Sequence, residues 1–315
     1  MDLTQSLVGH LQALSPAGFV QSAFVLAAAL VLAVQAAPAS VRTAMTEYGA
    51  RSRKGGTKGQ EDTHGEASLH GLLIYLTRLG QVPHQWFLHF YVASVAWSIF
   101  WAVQLVWGGA VLTAVAARQA QTGGTSMTTG QVYLAWTLMA LQGVRRLYES
   151  LFVTRPGSSP MWIVHWALGV VYYTGVNVAV WVEGSGAILD MWNSSQPVQL
   201  PWTKAIVGTA VYLAAYWYQY QCHSHLASLK KYTLPERGLF QYIVCPHYTC
   251  DCVIYLGIAI ATAPEGYMLN RTVTASLLFA AVNLGATAAG TKQWYGEKFG
   301  HDKIRQKWTM IPPVF

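Results

Sequence analysis

The sequence carries very little charge for its length. Asp, Glu, Lys and Arg make up 10% of its 315 residues, whereas charged residues are about 25% of an average soluble domain. So few charges cannot cover the surface of a soluble globule of this size. A disordered chain is also excluded, because its 13 Trp, 17 Tyr and 10 Phe would not remain in water.

Cysteines and the common nucleotide-binding motifs are also scarce. Four cysteines cannot form the disulfide framework of a small secreted protein. The chain has no G-x-G-x-x-G turn after a strand, no Walker loop and no H-E-x-x-H helix. A bound nucleotide would therefore need a fold other than the usual soluble ones. The net charge of +7 is distributed as in a membrane protein, and we expect no nucleic-acid partner.

Long uncharged segments are what the sequence does contain. About 20 apolar residues span a bilayer, and residues 3–41 and 79–117 have no charged side chain. The first span is too long, and lacks the basic start, for a cleaved signal peptide. Spans are predicted at 17–39, 88–110, 131–153, 161–182, 203–225, 250–264 and 272–290. Without a repeat or a linker, they predict one all-α integral membrane bundle of about seven transmembrane helices.

The basic residues give this bundle an orientation. Lys and Arg are concentrated after the first, third, fifth and seventh spans and are rare in the other loops. Because basic loops stay in the cytosol, we expect a lumenal N-terminus and a cytosolic C-terminus. The Gly- and charge-rich segment 49–68 is interpreted as a flexible cytosolic loop.

Polar residues near the end of the third span mark a candidate site, because ionisable groups are costly inside a membrane. Arg145 and Glu149 are four residues apart and can pair on one helix face. Gln142 lies on the same side, which favours an inward role for Arg145. For Arg146 and Arg155 we favour snorkelling to the cytosolic boundary.

The fifth span ends in a second polar segment. Gln219, His223 and Lys230 form a polar path towards the cytosol, although a solvated helix end would have the same composition. Two lysines followed by Tyr232 could hold a phosphate and stack on a flat ring.

The segment CPHYTCDC (245–252) contains five competent metal ligands. Its spacings are not the paired ones of a structural zinc site, so we expect thiols and no bound metal. Asp251 enters an apolar helix and needs a partner, such as a basic residue or a ligand hydroxyl or amide.

Five motifs follow one another along the chain: RRLYES (145–150), QYQCHSHLASLKK (219–231), Y-x-x-P-x-x-G-L-F-x-Y (232–242), CPHY with an acid four residues after its His, and KQWYGEKF (292–299). Together they resemble the steroid 5α-reductase family. VPHQWFLHFYVASVAW (82–97) is similar to the polyprenol reductase branch of that family rather than to the steroid reductases. The resemblance implies an N-terminal membrane region, 1–129, with a flexible loop at 42–70, and a C-terminal catalytic domain, 130–315.

The resemblance also implies an NADPH site open to the cytosol and a substrate cavity accessible to lipid, in the endoplasmic reticulum membrane. The family's cofactor-contacting positions fall on eight residues: Arg145, Gln219, His223, Lys230, Tyr232, His247, Asp251 and Tyr295. The candidate catalytic residues are Gln142, Glu149 and Glu47. Glu47 is the nearest counterpart of the family's N-terminal catalytic Glu, but a surface loop carboxylate explains it equally well.

Three positions depart from the steroid-reductase pattern. His247 stands where Asn is usual and Asp251 where Glu is usual, and both keep hydrogen-bonding capacity. Gln142 stands where a substrate-facing Tyr is usual, which removes a phenol acid and argues against a steroid substrate.

The expected activity is NADPH-dependent reduction of the α-isoprene double bond of a polyprenoid, which supplies dolichol for protein N-glycosylation. Hydride adds readily to a carbon–carbon double bond only where a carbonyl accepts the charge, so the immediate substrate is expected to be polyprenal, with polyprenol handled through its aldehyde. The partners are then a long-chain polyprenoid lipid and the bilayer, without an obligate protein partner. A sterol or enoyl-lipid reductase, a methyltransferase with a similar bundle and a non-catalytic lipid transporter stay open as alternatives.

Overall fold

The computed structural model of the protein describes residues 14–38, 42, 80–122, 127–155, 157, 160–193 and 197–315. Glu47 and the segment 49–68 lie outside the described residues. The described part is mostly helical, which confirms the predicted all-α class. Its longer helices are α1 (Pro16–Ala36), α2 (Leu88–Val106), α3 (Ala110–Gln121), α4 (Thr129–Tyr148), α5 (Ile163–Ala179), α6 (Ser185–Asn193), α7 (Trp202–Ser228), α8 (Pro246–Ala261) and α9 (Arg271–Phe299).

Four helical segments of the described ranges are long and apolar enough to cross a membrane: Pro16–Ala36, His84–Val106, Ile163–Asn193 and Arg271–Phe299. This supports the prediction of a multi-pass membrane protein. Three other predicted spans coincide with α4, α7 and α8. α8 has only 16 residues, and α4 and α7 carry polar side chains of the candidate site. The total of about seven spans therefore stays a prediction.

Two helices, α3 and α6, occupy segments that we interpreted as loops. The chain breaks after α2 at Gly108, whose φ of +59° favours glycine. The side chain of Gln104 then accepts hydrogen bonds from the backbone N–H groups of Val111 and Leu112, 3.1 and 3.2 Å away, at the start of α3. A polar cap of this kind stabilises a helix start that periodicity alone does not reveal.

Two short strands connect the starts of α2 and α5. β1 (Gln81–Pro83) pairs antiparallel with β2 (Pro160–Trp162), with Val82 opposite Met161. Both of these central residues are buried against Phe90. The pairing fixes α2 next to α5 at the same end of the bundle.

Glycines bring α7 and α8 into backbone contact. A Cβ atom at Gly208 would lie 2.5 Å from the carbonyl oxygen of Gly257, which no real Cβ could do. Nearby, the Tyr212 hydroxyl donates to the carbonyl of Leu138 over 2.8 Å and so joins α7 to α4. These contacts fix the three helices that carry the candidate site relative to one another.

The opposite end of these helices is closed by satisfied polar groups. Gln131 donates from its amide to the carbonyls of Ala261 and Ala263, 3.2 and 2.8 Å away. Buried Glu183 accepts from the backbone and the hydroxyl of Thr272, 2.7 and 2.6 Å away. This end is therefore held by internal bonds that leave these groups little capacity for a ligand.

Candidate active site

The carboxylate of Glu149 is the centre of a buried charge cluster at the end of α4. It has no exposed surface, and α4 continues there into a π-helical turn, Glu149–Val153. Its oxygens lie 3.4 Å from Arg145 Nη1 and 2.7 Å from His223 Nδ1, and it also pairs with Arg146. Three basic partners on one carboxylate make this burial possible. The predicted Arg145–Glu149 pair is present.

Our snorkelling interpretation of Arg146 is wrong. Its side chain is 16% exposed and points into the bundle, where it donates to Glu149 and to the hydroxyl of Tyr91. Its guanidinium also lies 4.7 Å from the centre of the Tyr91 ring. The physical reason is that α2 supplies an inward partner that the sequence of α4 does not reveal. Arg155, by contrast, is exposed.

His223 lies between the two charges of this cluster. Its Nδ1 is 2.7 Å from the Glu149 carboxylate and 2.6 Å from Arg146 Nη1. The tautomer of the ring therefore selects whether Nδ1 donates to the carboxylate or accepts from the guanidinium. His223 thus joins the end of α7 to the end of α4.

Two side-chain amides extend the cluster away from Glu149. Arg145 donates to the amide oxygens of Gln142, over 2.7 Å, and of Gln219. It also donates to the carbonyl of Tyr216 over 2.7 Å, and its guanidinium lies 4.0 Å from the centre of that ring. Arg145 is buried, as predicted, and connects α4 with α7.

The amides in turn contact α8. Gln142 Nε2 donates to Gln219 Oε1 over 3.0 Å and lies 3.5 Å from the Asp251 carboxylate. Gln219 Nε2 donates to the carbonyl of His247 over 3.1 Å. The structure therefore gives Asp251 an amide partner and brings six of the predicted residues into one network: Gln142, Arg145, Glu149, Gln219, His223 and Asp251.

His247 borders this network through its ring. The ring centre lies 5.7 Å from that of His223 and 4.2 Å from that of Tyr248. Among the described residues, His247 Nδ1 and Arg145 Nε are buried without a hydrogen-bond partner. Two polar atoms left in this condition at one place suit a polar ligand that would bond to them.

Lys230 and Tyr232 are not part of this buried network. Both are exposed, beyond the end of α7. Tyr232 packs edge-on against Trp294 with ring centres 5.6 Å apart, and Lys298 Nζ lies 4.0 Å from the centre of the Tyr232 ring. These aromatic and basic residues form a surface cluster, which consists of Tyr232, Trp294 and Lys298. Lys230 precedes Tyr232 by two residues along the chain.

Tyr295 contacts Trp294 of the surface cluster, with ring centres 5.4 Å apart. It is partly buried and packs in the same apolar cluster as Cys245 and Tyr248, the neighbour of His247. We did not single out Tyr91 from the sequence, and Lys298 was noted only as one of the basic residues of the Lys292–Lys307 tail, which could neutralise the extra phosphate of NADPH. Lys298 belongs to KQWYGEKF and Tyr91 to VPHQWFLHFYVASVAW, but neither motif shows that these side chains contact the site.

No three His, Cys, Asp or Glu side chains within the described ranges lie together as ligands for a metal ion. The four cysteines are buried and form no disulfide. The expectation of no bound metal stays a prediction.

Residues 166–315 match the family model described as 3-oxo-5-alpha-steroid 4-dehydrogenase. The resemblance to the steroid 5α-reductase family is confirmed. The matched family region begins within α5 and includes five of the predicted cofactor positions on α7, α8 and α9: Gln219, His223, His247, Asp251 and Tyr295. Gln142, Arg145 and Glu149 on α4 precede it.

Curated relatives cover more of the chain than the family match does. Polyprenal reductase 2 of Oryza sativa subsp. indica is 27% identical over 286 residues, covering 74% of this chain and 79% of that protein. Polyprenal reductase of Xenopus laevis is 29% identical over 261 residues, covering 74% and 78%. Human polyprenal reductase is 26% identical over 245 residues, covering 70% and 74%. The similarity to this branch of the family therefore extends along most of the chain.

Proposed function

We propose that this protein is an NADPH-dependent reductase of the α-isoprene double bond of polyprenal, which yields the saturated aldehyde on the way to dolichol. The observation that carries the proposal is the buried network of Arg145, Glu149, Gln219 and His223, in a bundle similar to polyprenal reductases. A network of this kind inside apolar helices is costly unless it serves a ligand or a reaction.

The residues of the network fit the polar end of a dinucleotide. The unpartnered atoms Arg145 Nε and His247 Nδ1 can bond to carboxamide or ribose oxygens, and Asp251 can accept from ribose hydroxyls. When bound, NADPH supplies the hydride for the reduction. The proposed role of Arg145, Asp251 and His247 is to hold and orient that end of the cofactor.

The surface cluster, with Lys230, fits the other end. Lys230 and Lys298 carry positive charge for a phosphate, and Tyr232 offers a flat ring for a base. Tyr295 contacts Trp294 of this cluster and packs in the same apolar cluster as Cys245 and Tyr248, the neighbour of His247. If the cofactor is held at two separate places, removal of a contact at the distant end should lower the activity of the enzyme less than removal of a contact at the reacting end.

The proposed chemistry takes place beside Gln142 and Glu149. Reduction of an enal leaves negative charge on the carbonyl oxygen, and a fixed donor there stabilises it. Gln142 and Glu149 are the proposed catalytic residues of α4, and Glu47 is the proposed contribution of the N-terminal region 1–129. Helices packed around the network limit the access of bulk water to the reacting atoms.

The proposal also includes the setting of the enzyme. Seven spans form one bundle in the endoplasmic reticulum membrane, with a lumenal N-terminus and a cytosolic C-terminus, and residues 130–315 are the catalytic domain. A C-terminal tag should therefore be digested by protease added to sealed microsomes, whereas an N-terminal tag should be protected. The reverse pattern would contradict the topology and leave the chemistry open to test.

Ligand-induced stabilisation of the purified protein tests the proposal without a substrate. NADPH should raise the melting temperature, because a ligand that binds only the folded state stabilises it. NADH should do so less, and S-adenosylmethionine should have no effect. Stabilisation by S-adenosylmethionine alone would indicate a methyltransferase, and no response to any of the three would favour a non-catalytic lipid transporter.

A further inference from the structure

The proposed reaction needs an acid that neither Gln142 nor the arginines of the network provide, and this inference rests on the proposed function. Hydride addition to an enal is completed when the carbonyl oxygen receives a proton or a strong hydrogen bond. The amide of Gln142 can donate a hydrogen bond but cannot give up a proton at neutral pH. The arginines of the network are always protonated, so they stabilise charge without transferring a proton.

Tyr91 brings a phenol into the network from α2. Its hydroxyl accepts a hydrogen bond from Arg146 Nη2, and its ring lies under the same guanidinium. The bond from Arg146 uses the oxygen lone pair and leaves the phenolic proton available. Among the described residues, no hydrogen bond that the Tyr91 hydroxyl donates is observed.

The surroundings of Tyr91 suit an acid. A guanidinium beside the oxygen stabilises the phenolate that remains when the proton is transferred. Arg146 is held in place by Glu149, which in turn bonds to His223. The ring of Tyr91 is fixed edge-on against Tyr173, with centres 5.8 Å apart.

We propose that Tyr91 is the proton donor of the reduction. Its O–H gives a proton to the carbonyl oxygen of the enal as the β-carbon receives a hydride. The electron pair of the carbon–carbon double bond moves to form the enol, and the carbonyl π pair forms the new O–H bond. The enol then returns its proton to the Tyr91 phenolate while the α-carbon takes a proton from water, and a proton from the solvent neutralises the hydroxide that is left. The net change is the addition of one hydride and one proton to the enal.

This assignment differs from a structural role for Tyr91. A structural phenol only fills space and gives Arg146 an acceptor, so its loss would reduce stability and cofactor binding together. A proton donor is needed in the transition state, so its loss lowers kcat and leaves NADPH affinity unchanged. A proton donor would also form a hydrogen bond to the substrate carbonyl before any hydride is transferred, so this bond can be measured in a complex that does not react.

The test compares Tyr91→Phe with the matched control Tyr173→Phe in the full-length purified protein. Each variant is loaded with NADP⁺, which cannot reduce the substrate, and with a short-chain enal labelled with ¹³C at its carbonyl. Infrared difference spectra should show a lowered carbonyl frequency in the wild type and in Tyr173→Phe. In Tyr91→Phe the band should return towards its unbonded frequency.

Kinetics provide the second measurement. Tyr91→Phe should lower kcat about 100-fold or more, the typical contribution of a general acid, with the Kd for NADPH changed less than twofold. If Tyr91→Phe does not fold, Arg146→Lys is the second variant. It keeps a cation but cannot donate to Glu149 and Tyr91 together, so it should lower kcat and shift the same carbonyl band. An unchanged band and unchanged kcat in a folded Tyr91→Phe would overturn the assignment. A wild type that reduces no enal would instead overturn the proposed function.

Discussion

The carboxylate of Glu149 lies 2.7 Å from Nδ1 of His223, in a part of the bundle where the carboxylate has no exposed surface. The contact joins α4 to α7, and Arg145 and Arg146 on α4 also pair with this carboxylate. The buried carboxylate and its basic partners stabilise one another, because removing one charge leaves the others uncompensated.

Glu149→Gln should therefore reduce both stability and activity. Loss of one partner of a buried ion pair typically costs about 3–5 kcal/mol, and Arg145 and Arg146 would both lose their counter-charge. Thermal unfolding in detergent should show a clearly lower melting temperature. Glu236→Gln, at an exposed position, is the control and should leave the melting temperature unchanged. Equal melting temperatures for the two variants would mean that the cluster does not stabilise the fold.

Substitutions at Asp251 test whether the network holds the reacting end of the cofactor. Asp251→Asn should keep expression and membrane insertion but lower turnover at least about tenfold, which corresponds to roughly 1.4 kcal/mol of barrier. Its contact with the Gln142 amide is 3.5 Å long, so the stability of the fold should depend little on it. Asp251→Glu should retain most activity, because it keeps the carboxylate. Full activity of Asp251→Asn with an unchanged KM for NADPH would show that the carboxylate is structural.

A substitution at Lys230 tests the proposed binding of the NADPH phosphate, away from the reacting end of the cofactor. NADPH carries one phosphate more than NADH, and Lys230→Ala should raise the KM for NADPH more than it lowers kcat. Since Lys230 is exposed and lies outside the buried network, the variant should fold normally. Arg155→Ala removes another exposed basic residue and should leave both constants unchanged. An equal effect of Lys230→Ala on NADH would show that the lysine does not recognise that phosphate.

The contact of α7 with α8 gives a prediction on stability alone. Gly208→Ala introduces a Cβ only 2.3 Å from the backbone nitrogen of Ala261, so the helices must separate. The variant should unfold at a lower temperature and, because the network spans both helices, lose activity. At Gly285 the nearest atom to an added Cβ is 3.7 Å away, and Gly285→Ala should be tolerated. Similar melting temperatures for the two would contradict the close approach.

Much of the buried network could be predicted because helical spacing is visible in sequence. Arg145 and Glu149 are four residues apart, and so are Gln219 and His223, so each pair shares one helix face. Asp251 was noted as a carboxylate entering an apolar helix, and the resemblance placed it with the cofactor. The amide of Gln142 as its partner depended on how α4 packs against α8, which no spacing within one helix can show.

Arg146 shows why the rest could not be predicted. Residues three and four positions before a carboxylate can both reach it, so spacing alone does not decide between snorkelling and burial. Arg146 points into the bundle because Tyr91 accepts its hydrogen bond there. Tyr91 is more than 50 residues away in sequence and reaches Arg146 only because α2 packs against α4. The helix α3 was missed for a related reason, since its start depends on the side chain of Gln104.

The most direct test of the central claim follows the hydride itself. The purified wild-type protein is incubated with polyprenal and with NADPH carrying deuterium at the transferred position, and the product is analysed by mass spectrometry and NMR. The account predicts a saturated α-isoprene unit with one deuterium on the β-carbon and a solvent-derived hydrogen on the α-carbon. Recovery of the unsaturated alcohol with deuterium on the carbonyl carbon, or of unchanged polyprenal beside efficient reduction of a steroid enone, would contradict it.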